Sequence, residues 1–436
     1  MKKVLIVSPH FPPINAPDMQ RVRLSLPFLR AQGWEPTVLA VTPESVEGGV
    51  RDPMLESTYP ADIRIVRVRG ISPRLTRWAG IGNLWWRCGR AIARAGERLL
   101  RDEKFDLVFF STTKFDAFEL GPRWRRRFGV PFVLDYQDPW VNDYYERTNT
   151  RPPGGRIKYA LAQRTAKRAE PAVLRAAAAV ISVSDAYAQT FARSYPWFDQ
   201  GRVRTLPFGA SAADFDALGG YRPAQPLVDF DDENVHHVYA GRCGPDMALA
   251  LSILFRAFHR FRTTHASEAA KVRFHFIGTD YAPPPLGRDW ALPVAVAEGV
   301  GDAVREHRYR VPYFDALYYL RHAHALVAVG SDDATYSASK IFPYVLARRP
   351  MMLIFHRESP VLQFAERAAV GQRFGFKGPA DIDAVVADVH QRWFVDGNYR
   401  LYSGFDAAAF APYTAEALTA QLAEVFNVAA KQDARP

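Results

Sequence analysis

The sequence predicts an α/β protein built from two doubly wound domains, each with a parallel sheet covered by helices. Apolar segments of strand length alternate with helical patterns along the chain, which is typical of β-α units and parallel sheets. A polar stretch over 212–233, containing Pro and several Asp, separates two such series. At 436 residues the chain is also long enough for two domains with separate cores.

The first series contains seven expected strands, several of them apolar at consecutive positions, as burial on both faces requires. These strands are 4–8, 37–41, 63–68, 107–111, 131–135, 180–184 and 203–207. Helical spacing runs from Gln20 to Gln32, and Gly33 follows as a signal for the end of a helix. Residues 160–178 are predicted to form a long, Ala-rich helix.

The second series predicts five strands, at 235–240, 272–277, 309–311, 325–329 and 351–355. Helices are expected at 247–262, 313–322 and 337–348, and the tail over 414–429 is amphipathic. We therefore expect an N-terminal domain over 1–212, a second domain over 213–410 and a last helix within 411–436. Whether that helix crosses back to the first domain stays open.

Composition excludes several classes of protein. With 48% hydrophobic and 23% charged residues, the chain is neither disordered, nor collagen-like, nor a coiled coil. Its two cysteines, Cys88 and Cys243, are too few for a disulfide framework, so a reducing cytoplasm is expected. No apolar run approaches the roughly 18–20 residues of a membrane span, and the N-terminus leads directly into a strand. Neither secretion nor membrane insertion is therefore expected.

The net charge of +10 is concentrated in the first series. Residues 1–210 contain 33 Lys and Arg against 20 Asp and Glu, whereas the remainder contains 23 against 26. Within 64–104 there are eleven basic side chains and three acidic ones, together with several tryptophans. This composition is typical of a surface that lies on an anionic membrane. The expected contacts are Trp78, Trp85, Trp86, Arg87 and Arg90.

Two other interpretations of the basic segment stay open. One is a solvated helix whose tryptophans belong to the core. The other is a nucleic-acid groove, although zinc ligands, a helix-turn-helix and an RNA-recognition signature are all missing from the sequence.

Seven short segments, in order along the chain, resemble motifs of one enzyme family. They are 4–13 (VLIVSPHFPP), 33–38 (GWEPTV), 135–140 (DYQDPW), 179–184 (AVISVS), 206–210 (LPFGA), 239–242 (YAGR) and 339–344 (SKIFPY), the last running on to Pro350. Together they resemble the family 4 type of GT-B glycosyltransferases, which use nucleotide-sugar donors. The resemblance implies two Rossmann-like domains facing a central cleft, with the acceptor bound by the first and the donor by the second.

On the donor side, the resemblance implies that Arg242 and Lys340 stabilise the diphosphate leaving group in place of a metal. Dense positive charge or helix N-terminal amides are what a diphosphate requires. The implied nucleotide-sugar contacts are Gly241, Arg242, Gly278, Asp332, Ser339, Lys340, Tyr344 and Glu358. A plain surface lysine, a structural ion pair of Arg242 and packing turns at the two glycines are the alternatives.

On the acceptor side, Asp138 follows a predicted strand, where a carboxylate could bind or deprotonate an acceptor hydroxyl. We group it with Arg242 and Lys340 as the catalytic candidates. His10, Asn15, Asp18 and Arg21 occupy the first loop and helix start as further acceptor-side candidates. A turn or N-cap role for Asp138 and a structural role for His10 are equally open.

The sequence also departs from the family pattern. Two glutamates that the family commonly places eight positions apart fall on Thr335 and Pro343, and the second of them usually holds the ribose. Asp332, Asp333 and Glu358 are the nearby substitutes. The lysine that often follows the Gly-Arg segment is missing as well, since 244–247 reads GPDM.

The expected function is transfer of a sugar from a nucleotide-sugar to a membrane-linked or polysaccharide acceptor in cell-surface glycan biosynthesis, such as that of lipopolysaccharide. The resemblance implies a hexosyl transfer that retains configuration. No metal and no cofactor are expected, because no His, Asp or Cys cluster has ligand spacing. The expected location is cytoplasmic, with peripheral attachment to the inner face of the membrane as an option. A catalytically silent glycan- or partner-binding protein of the same fold and a nucleic-acid binder are the alternatives.

Overall fold

The computed structural model describes residues 1–76, 82–141, 155–282 and 284–432. Two compact units make up the chain. The N-terminal domain is Met1–Phe208 together with the C-terminal helix, and the C-terminal domain is Gly209–Thr414. The boundaries set from the sequence, at 212 and 410, lie close to these positions.

The N-terminal domain contains a seven-stranded parallel sheet with the strand order β5-β3-β1-β6-β7-β8-β9. Its strands are β1 (Lys2–Val7), β3 (Trp34–Val41), β5 (Arg64–Val68), β6 (Leu107–Ser111), β7 (Phe132–Tyr136), β8 (Ala179–Ser182) and β9 (Val203–Thr205). The register pairs Val4 with Pro36 on one side and with Leu107 on the other. A small antiparallel pair, β2 (Ile14–Asn15) with β4 (Val50–Arg51), lies apart from this sheet.

Helices cover both faces of this sheet. Those of the domain are α1 (Gln20–Leu29), α2 (Pro73–Thr76), α3 (Leu84–Asp102), α4 (Leu120–Phe128), α5 (Arg156–Ala176) and α6 (Ala186–Ser194), with α16 (Ala415–Gln432) added from the C-terminus. Successive side chains of a strand point to opposite faces. Val4 and Ile6 accordingly pack with α1 and α16, whereas Leu5 and Val7 pack with α3, α4 and α5.

The C-terminal domain contains a six-stranded parallel sheet with the order β12-β11-β10-β13-β14-β15. The strands are β10 (Val235–Ala240), β11 (Val272–Ile277), β12 (Val304–His307), β13 (Ala325–Val329), β14 (Met351–His356) and β15 (Gln372–Phe376). The helices are α7 (Ala212–Asp216), α8 (Ala248–Thr264), α9 (Ala266–Ala269), α10 (Ala291–Ala297), α11 (Tyr313–His322), α12 (Ile341–Ala347), α13 (Pro360–Arg367), α14 (Ile382–Val389) and α15 (Ala407–Phe410).

Two sequence predictions for this domain were wrong. The strand expected at 309–311 is formed by Val304–His307, and Gln372–Phe376 forms a sixth strand that we did not expect. Charged or polar residues interrupt both strands, Arg305 and Glu306 in the first and Gln372 and Arg373 in the second. These are the two edge strands of the sheet, where exposed positions tolerate charge, so neither shows a continuous apolar run.

Both sheets have a topological switch point, where the order of the strands reverses. In the N-terminal domain it lies between β1 and β6, and in the C-terminal domain between β10 and β13. In open α/β sheets ligands bind outside the carboxyl ends of the strands at such a point. The loops that follow these four strands are therefore where each domain should hold a ligand. Among the described residues no helix is long and apolar enough to cross a membrane.

Candidate functional site

The loop after β1 carries the first candidate pair, His10 and Asp18. Prolines within 9–17 prevent the strand from continuing, and the Ser8 hydroxyl donates to the His10 carbonyl at 2.9 Å. The His10 Nδ1 atom lies 2.8 Å from Asp18 Oδ1 and 3.1 Å from Oδ2. The two side chains expected on the acceptor side are thus brought into direct contact.

Asp18 connects the two loops that flank the switch point. Its carboxylate accepts hydrogen bonds from the Thr112 hydroxyl and from the Thr113 amide and hydroxyl, each at 3.2 Å, in the loop after β6. Burial alone would raise the pKa of Asp18, but the charge and hydrogen bond of His10, with Lys114 and the Thr113 amide, hold this pKa well below its ordinary value. Asp18 is therefore an anion at physiological pH, held rigidly at the carboxyl edge of the sheet.

Arg21 and Asn15, the two further acceptor-side candidates, have contacts inside the N-terminal domain. Arg21 is buried, and its Nε donates to Asp135 Oδ2 at 2.8 Å while Nη2 donates to the Leu206 carbonyl at 2.7 Å. Asn15 is buried on the short strand β2, opposite Val50. Both side chains are thus largely buried, and these contacts favour structural roles; their assignment to the acceptor side stays a prediction.

Asp138 lies just beyond β7, and its environment suits acid–base chemistry. The residue is exposed at the surface, yet neighbouring groups partly desolvate its carboxylate. That desolvation, followed by the negative charge of Asp18, raises the pKa of Asp138 to about 6. Tyr187 is its neighbour, since burial and the charges of Asp138 and Asp135 raise the pKa of that phenol. A carboxylate with this pKa is ionised at neutral pH and still basic enough to accept a proton.

In the C-terminal domain, Lys340 immediately precedes α12 and crosses the end of β10. Its Nζ donates to the hydroxyl of Tyr239 and, at 3.3 Å, to the Arg242 carbonyl, and it stands 4.1 Å from the centroid of the Tyr239 ring. Gly241 makes this path available: it has φ +142°, and a Cβ there would come within 3.2 Å of Lys340 Cδ. The glycine is therefore required by both the backbone conformation and the lysine.

The charge of Lys340, at the carboxyl edge of the C-terminal sheet, is not neutralised by a described carboxylate. Within the part of the chain that the structure describes, Lys340 Nζ forms no ion pair. Burial, with a further contribution from the charge of Arg242, lowers the pKa of Lys340 to about 8. The ammonium group is desolvated and uncompensated, so an anion bound beside it would remove an existing penalty.

Arg242 differs from Lys340, because its charge is already paired. Its guanidinium holds Asp246 through two bonds, Nη1 to Oδ2 at 3.1 Å and Nη2 to Oδ1 at 2.8 Å. The Asp246 carbonyl in turn accepts from the Asp332 amide at 2.9 Å, which joins the loops after β10 and β13. Arg242 therefore keeps a partly exposed guanidinium at the switch point, but one shared with a carboxylate.

The other donor-side candidates divide into two groups. Tyr344 is buried, and its hydroxyl accepts from the Ala240 amide at 2.6 Å and donates to the Ala240 carbonyl at 2.9 Å. It therefore fixes the end of β10, and its assignment as a nucleotide contact stays a prediction. Asp332, Ser339 and Glu358 are exposed, and Gly278 (φ +73°) follows β11, where a Cβ would make only ordinary contacts with Arg310 Cα (3.8 Å) and the Tyr309 carbonyl (4.0 Å). These four remain available to a ligand.

Sequence reasoning missed several residues of these two edges. Gln137 is buried, and its Nε2 donates to the Asp18 carbonyl (3.1 Å), Ser111 Oγ (3.0 Å) and Asp135 Oδ2 (2.8 Å), so that it ties three loops together. Tyr239 carries the hydroxyl that receives Lys340. Asp246 could have been found from its position four residues after Arg242, an ordinary spacing for an ion pair.

The expected membrane contacts have different surroundings. Arg87 is buried and donates to the carbonyls of Ser45 (2.8 Å) and Ile71 (3.2 Å), so its assignment to a surface is corrected. Trp85 is partly buried against the core and covers Gly89. Trp86 and Arg90 are exposed, whereas Trp78 lies outside the described residues. Trp85 and Arg87 thus belong to the interior, as the interpretation of a helix with core tryptophans expects. Trp86 and Arg90 remain candidates for a membrane-contacting surface.

No group of three or more His, Cys, Asp or Glu side chains suited to a metal ion occurs among the described residues.

Comparisons with known proteins point in one direction. Residues 21–209 match the sequence profile of the glycosyl transferase 4-like domain. No curated protein sequence matches the chain. Solved structures that are similar include HepE from Anabaena in complex with UDP and glucose, at 12% identity and TM-score 0.59 over 98% of this chain and 100% of that one. Sucrose-phosphate synthase from Thermosynechococcus elongatus follows, at 15% and 0.60 over 98% of both chains. A UDP-forming trehalose-phosphate synthase from Burkholderia xenovorans has 12% and 0.59 over the full length of both.

Proposed function

This chain has the GT-B glycosyltransferase fold and a glycosyl transferase 4-like N-terminal domain, and on that premise we propose that it transfers a sugar from a nucleotide-sugar to an acceptor hydroxyl. The observation that carries the proposal is Lys340, a desolvated cation at the switch point of the C-terminal domain that has no ion-pair partner in the described part of the chain. Neighbours of the same fold bind UDP or UDP-glucose. The donor class we propose is therefore a uridine diphosphate sugar.

In the proposed reaction, the acceptor oxygen forms a bond to the anomeric carbon while the bond from that carbon to the diphosphate oxygen breaks. Lys340 and the free face of Arg242 stabilise the charge that develops on the diphosphate, the electrostatic contribution that such groups make in a preorganised site. Asp138 accepts or orients the hydroxyl proton of the acceptor. No metal enters this scheme, and retention of configuration in a hexosyl transfer is what the family resemblance implies.

A nucleotide-binding screen tests the donor half of the proposal. We expect UDP, compared with GDP, ADP and CMP, to raise the thermal unfolding midpoint, because a ligand that binds only the folded state stabilises it. Lys340→Ala should weaken nucleotide binding about 10- to 100-fold, since one charge-assisted hydrogen bond is lost. Lys271→Ala is the matched control, because that exposed lysine precedes β11 at the opposite edge of the same sheet. A chain that responds to none of the four nucleotides would refute the donor assignment.

The missing glutamates keep a second function in view, a catalytically silent protein that binds glycans or partners. Thr335 donates its amide and hydroxyl to Asp333 Oδ1, at 2.8 and 2.7 Å, so the first of the two positions forms a local turn. Turnover decides between the two functions. Release of UDP from UDP-glucose in the presence of glycan acceptors supports the enzyme, whereas nucleotide binding without any turnover supports the silent protein.

For the acceptor, we propose a membrane-linked or polysaccharide substrate of cell-surface glycan synthesis, met by a protein attached to the inner face of the cytoplasmic membrane. In each β-α unit the helix begins near the carboxyl end of the preceding strand, so the first turns of α3 and α5 lie at the carboxyl edge of the sheet. Exposed apolar side chains gather there: Trp86 (68% exposed) on α3, and Ile157 (87%) and Leu161 (61%) on α5.

The charge on the helices around this group of exposed apolar side chains, which we call the rim, supports attachment to an anionic surface. Helices α3, α4 and α5 carry thirteen exposed Lys and Arg side chains and one exposed carboxylate, Asp102. On the opposite face, α16 exposes Glu416 and Glu424 with Lys431. Apolar side chains inserted among basic ones are the arrangement that binds anionic lipid.

Vesicle co-sedimentation tests the attachment. We expect binding to phosphatidylglycerol vesicles but not to phosphatidylcholine vesicles, and weaker binding in high salt. Trp86→Ser with Leu161→Ser should reduce it about tenfold through the lost apolar insertion. Val428→Ser, which removes an exposed apolar side chain from α16, should leave it unchanged. Equal binding by both variants would contradict the rim assignment.

A further inference from the structure

An arginine-lined groove of about 640 Å³ lies between β5 and α3 of the N-terminal domain. Its volume is within the range of ordinary ligand sites. The wall from β5 and its extension contains Arg67, Val68 and Arg69, and the wall from α3 contains Ala91, Arg94, Glu97, Arg98 and Arg101. It is separate from the switch-point loops, because β5 is the terminal strand and lies two strands away from β1.

The basic side chains of the groove come from two neighbouring elements, α3 and the β5 segment. Positions 94, 98 and 101 of α3 are four and three residues apart, so they form one stripe on the helix. The stripe extends for about 10 Å, from the rise of 1.5 Å per residue. Arg67 and Arg69 alternate with Val66 and Val68, whose side chains pack against α3, so the two arginines leave β5 on its other side and border the groove at the edge of the sheet.

Most of this charge is not compensated by carboxylates that the structure describes. Arg67 donates to Glu56 (3.0 Å) and the Pro12 carbonyl (2.8 Å), but its buried Nη1 has no acceptor among the described residues. The one carboxylate of the groove, Glu97, is held from outside by Arg123 (2.6 Å) and Arg127 (2.8 Å).

The remaining four arginines, Arg69, Arg94, Arg98 and Arg101, form no ion pair with any residue that the structure describes. Like charges held side by side in a concave site repel one another, and they concentrate the positive potential within it. A ligand with several anionic groups along its length would relieve this repulsion, because each anionic group would neutralise one arginine.

The groove is suited to an extended ligand. Arg94, Arg98 and Arg101 follow one another along α3 beside the β5 segment that carries Arg69. A chain with repeated anionic groups can therefore pair with several arginines at once, whereas a single anion pairs with one of them.

We propose that this groove binds a linear anionic glycan, whose carboxylate or phosphate groups pair with Arg69, Arg94, Arg98 and Arg101. The inference rests on the proposed function, since it assigns the groove to the acceptor or product chain of that reaction. Guanidinium groups bind carboxylate and phosphate through paired hydrogen bonds, which makes arginine the suited residue for either anion. The groove thereby selects acidic polymers over neutral ones.

Titration calorimetry with a defined oligogalacturonate tests the groove. We expect saturable binding that weakens with salt, much weaker binding of monomeric galacturonic acid, and none of neutral dextran. Arg94→Ala with Arg98→Ala should weaken the oligomer about tenfold, from two lost surface ion pairs. Arg69→Ala with Arg101→Ala should do the same from the other positions. Arg164→Ala with Arg168→Ala is the matched control, because it removes the same charge at the same spacing from exposed positions of α5.

Several results would overturn the proposal: no saturable binding, equal loss in the groove and control variants, or anionic binding limited to phosphatidylglycerol vesicles. The UDP thermal shift is measured on the same variants. A groove that fails while the UDP shift persists refutes the glycan site alone. A missing UDP shift in the wild type refutes the proposed function instead. Unchanged melting temperatures of the variants establish that exposed arginines were removed without unfolding the domain.

Discussion

Replacing Arg21 with methionine tests whether this residue is structural, as its burial indicates, or a substrate contact, as the sequence suggested. Arg21 is 6% exposed and its partner Asp135 is fully buried. The change leaves the Asp135 carboxylate with the Ser111 hydroxyl at 2.7 Å and the Gln137 amide at 2.8 Å, but without its counter-ion. Removing one partner of a buried ion pair costs about 3–5 kcal/mol, because a charge stays buried and uncompensated.

Hydrogen exchange followed by mass spectrometry measures this loss of stability separately for the N-terminal domain, which contains Arg21. A destabilisation of about 3 kcal/mol corresponds to exchange roughly 100-fold faster in peptides covering β1 and β7. Peptides from β10 and β11 serve as an internal reference. Arg30→Met is the matched control, since Arg30 pairs with Glu35 (2.8 Å) and Asp62 (2.5 Å) at the surface, where the loss of an ion pair should change exchange far less.

A second substitution makes the test specific. Arg21→Met combined with Asp135→Asn removes the orphaned charge, so the double variant should recover part of the stability that the single variant lost. If Arg21→Met changes exchange no more than Arg30→Met, or if Asp135→Asn brings no recovery, the ion pair is not what stabilises this edge. The argument for a structural Arg21 would then fail.

Three further outcomes follow from shifted pKa values. Because the pKa of Asp138 is about 6, its carboxylate is ionised above that pH, so the rate of sugar transfer should rise through about pH 6 and Asp138→Asn should abolish the rise in a pH–rate profile. Lys340 loses its proton above about pH 8, so UDP affinity should fall at higher pH in calorimetry, whereas Lys340→Arg should keep it constant; a pH-independent wild type would contradict this. Burial lowers the pKa values of His237 and His275 to about 3, so the unfolded chain binds protons below about pH 6.5 that the folded C-terminal domain does not. Its stability should therefore decrease on acidification below about pH 6.5, by up to about 3 kcal/mol per pH unit for two protons, and an unchanged urea midpoint would exclude the effect.

The interior strands were predictable from the sequence because they are buried on both faces. Strands β10, β11 and β13 have the predicted bounds. The run of β13 (ALVAV) is continuously apolar, whereas β10 (VHHVYA) and β11 (VRFHFI) each keep enough apolar positions around a His or Arg to be recognised as strands. The edge strands β12 and β15 were misplaced or missed, because one exposed side allows charged residues and breaks that run.

The positions of Lys340, Arg242 and Asp138 after strands or before a helix also followed from sequence. Their surroundings did not. The pairing of Arg242 with Asp246 and the burial of Lys340 against Tyr239 depend on loops from different strands that meet at a switch point. Strand order within a sheet is a long-range property, and local patterns contain no record of it.

The sequence by itself determined the two α/β domains, the excess of positive charge in the first, and the residue types that can bind a diphosphate. The tertiary structure alone decided which of those residues are exposed. Burial separates Arg87, packed against backbone carbonyls, from Arg90 three residues later at the surface. It likewise assigns Arg21 to the core. The physical reason is that charge and spacing are local, whereas desolvation and pairing depend on neighbours that only the folded sheet brings together.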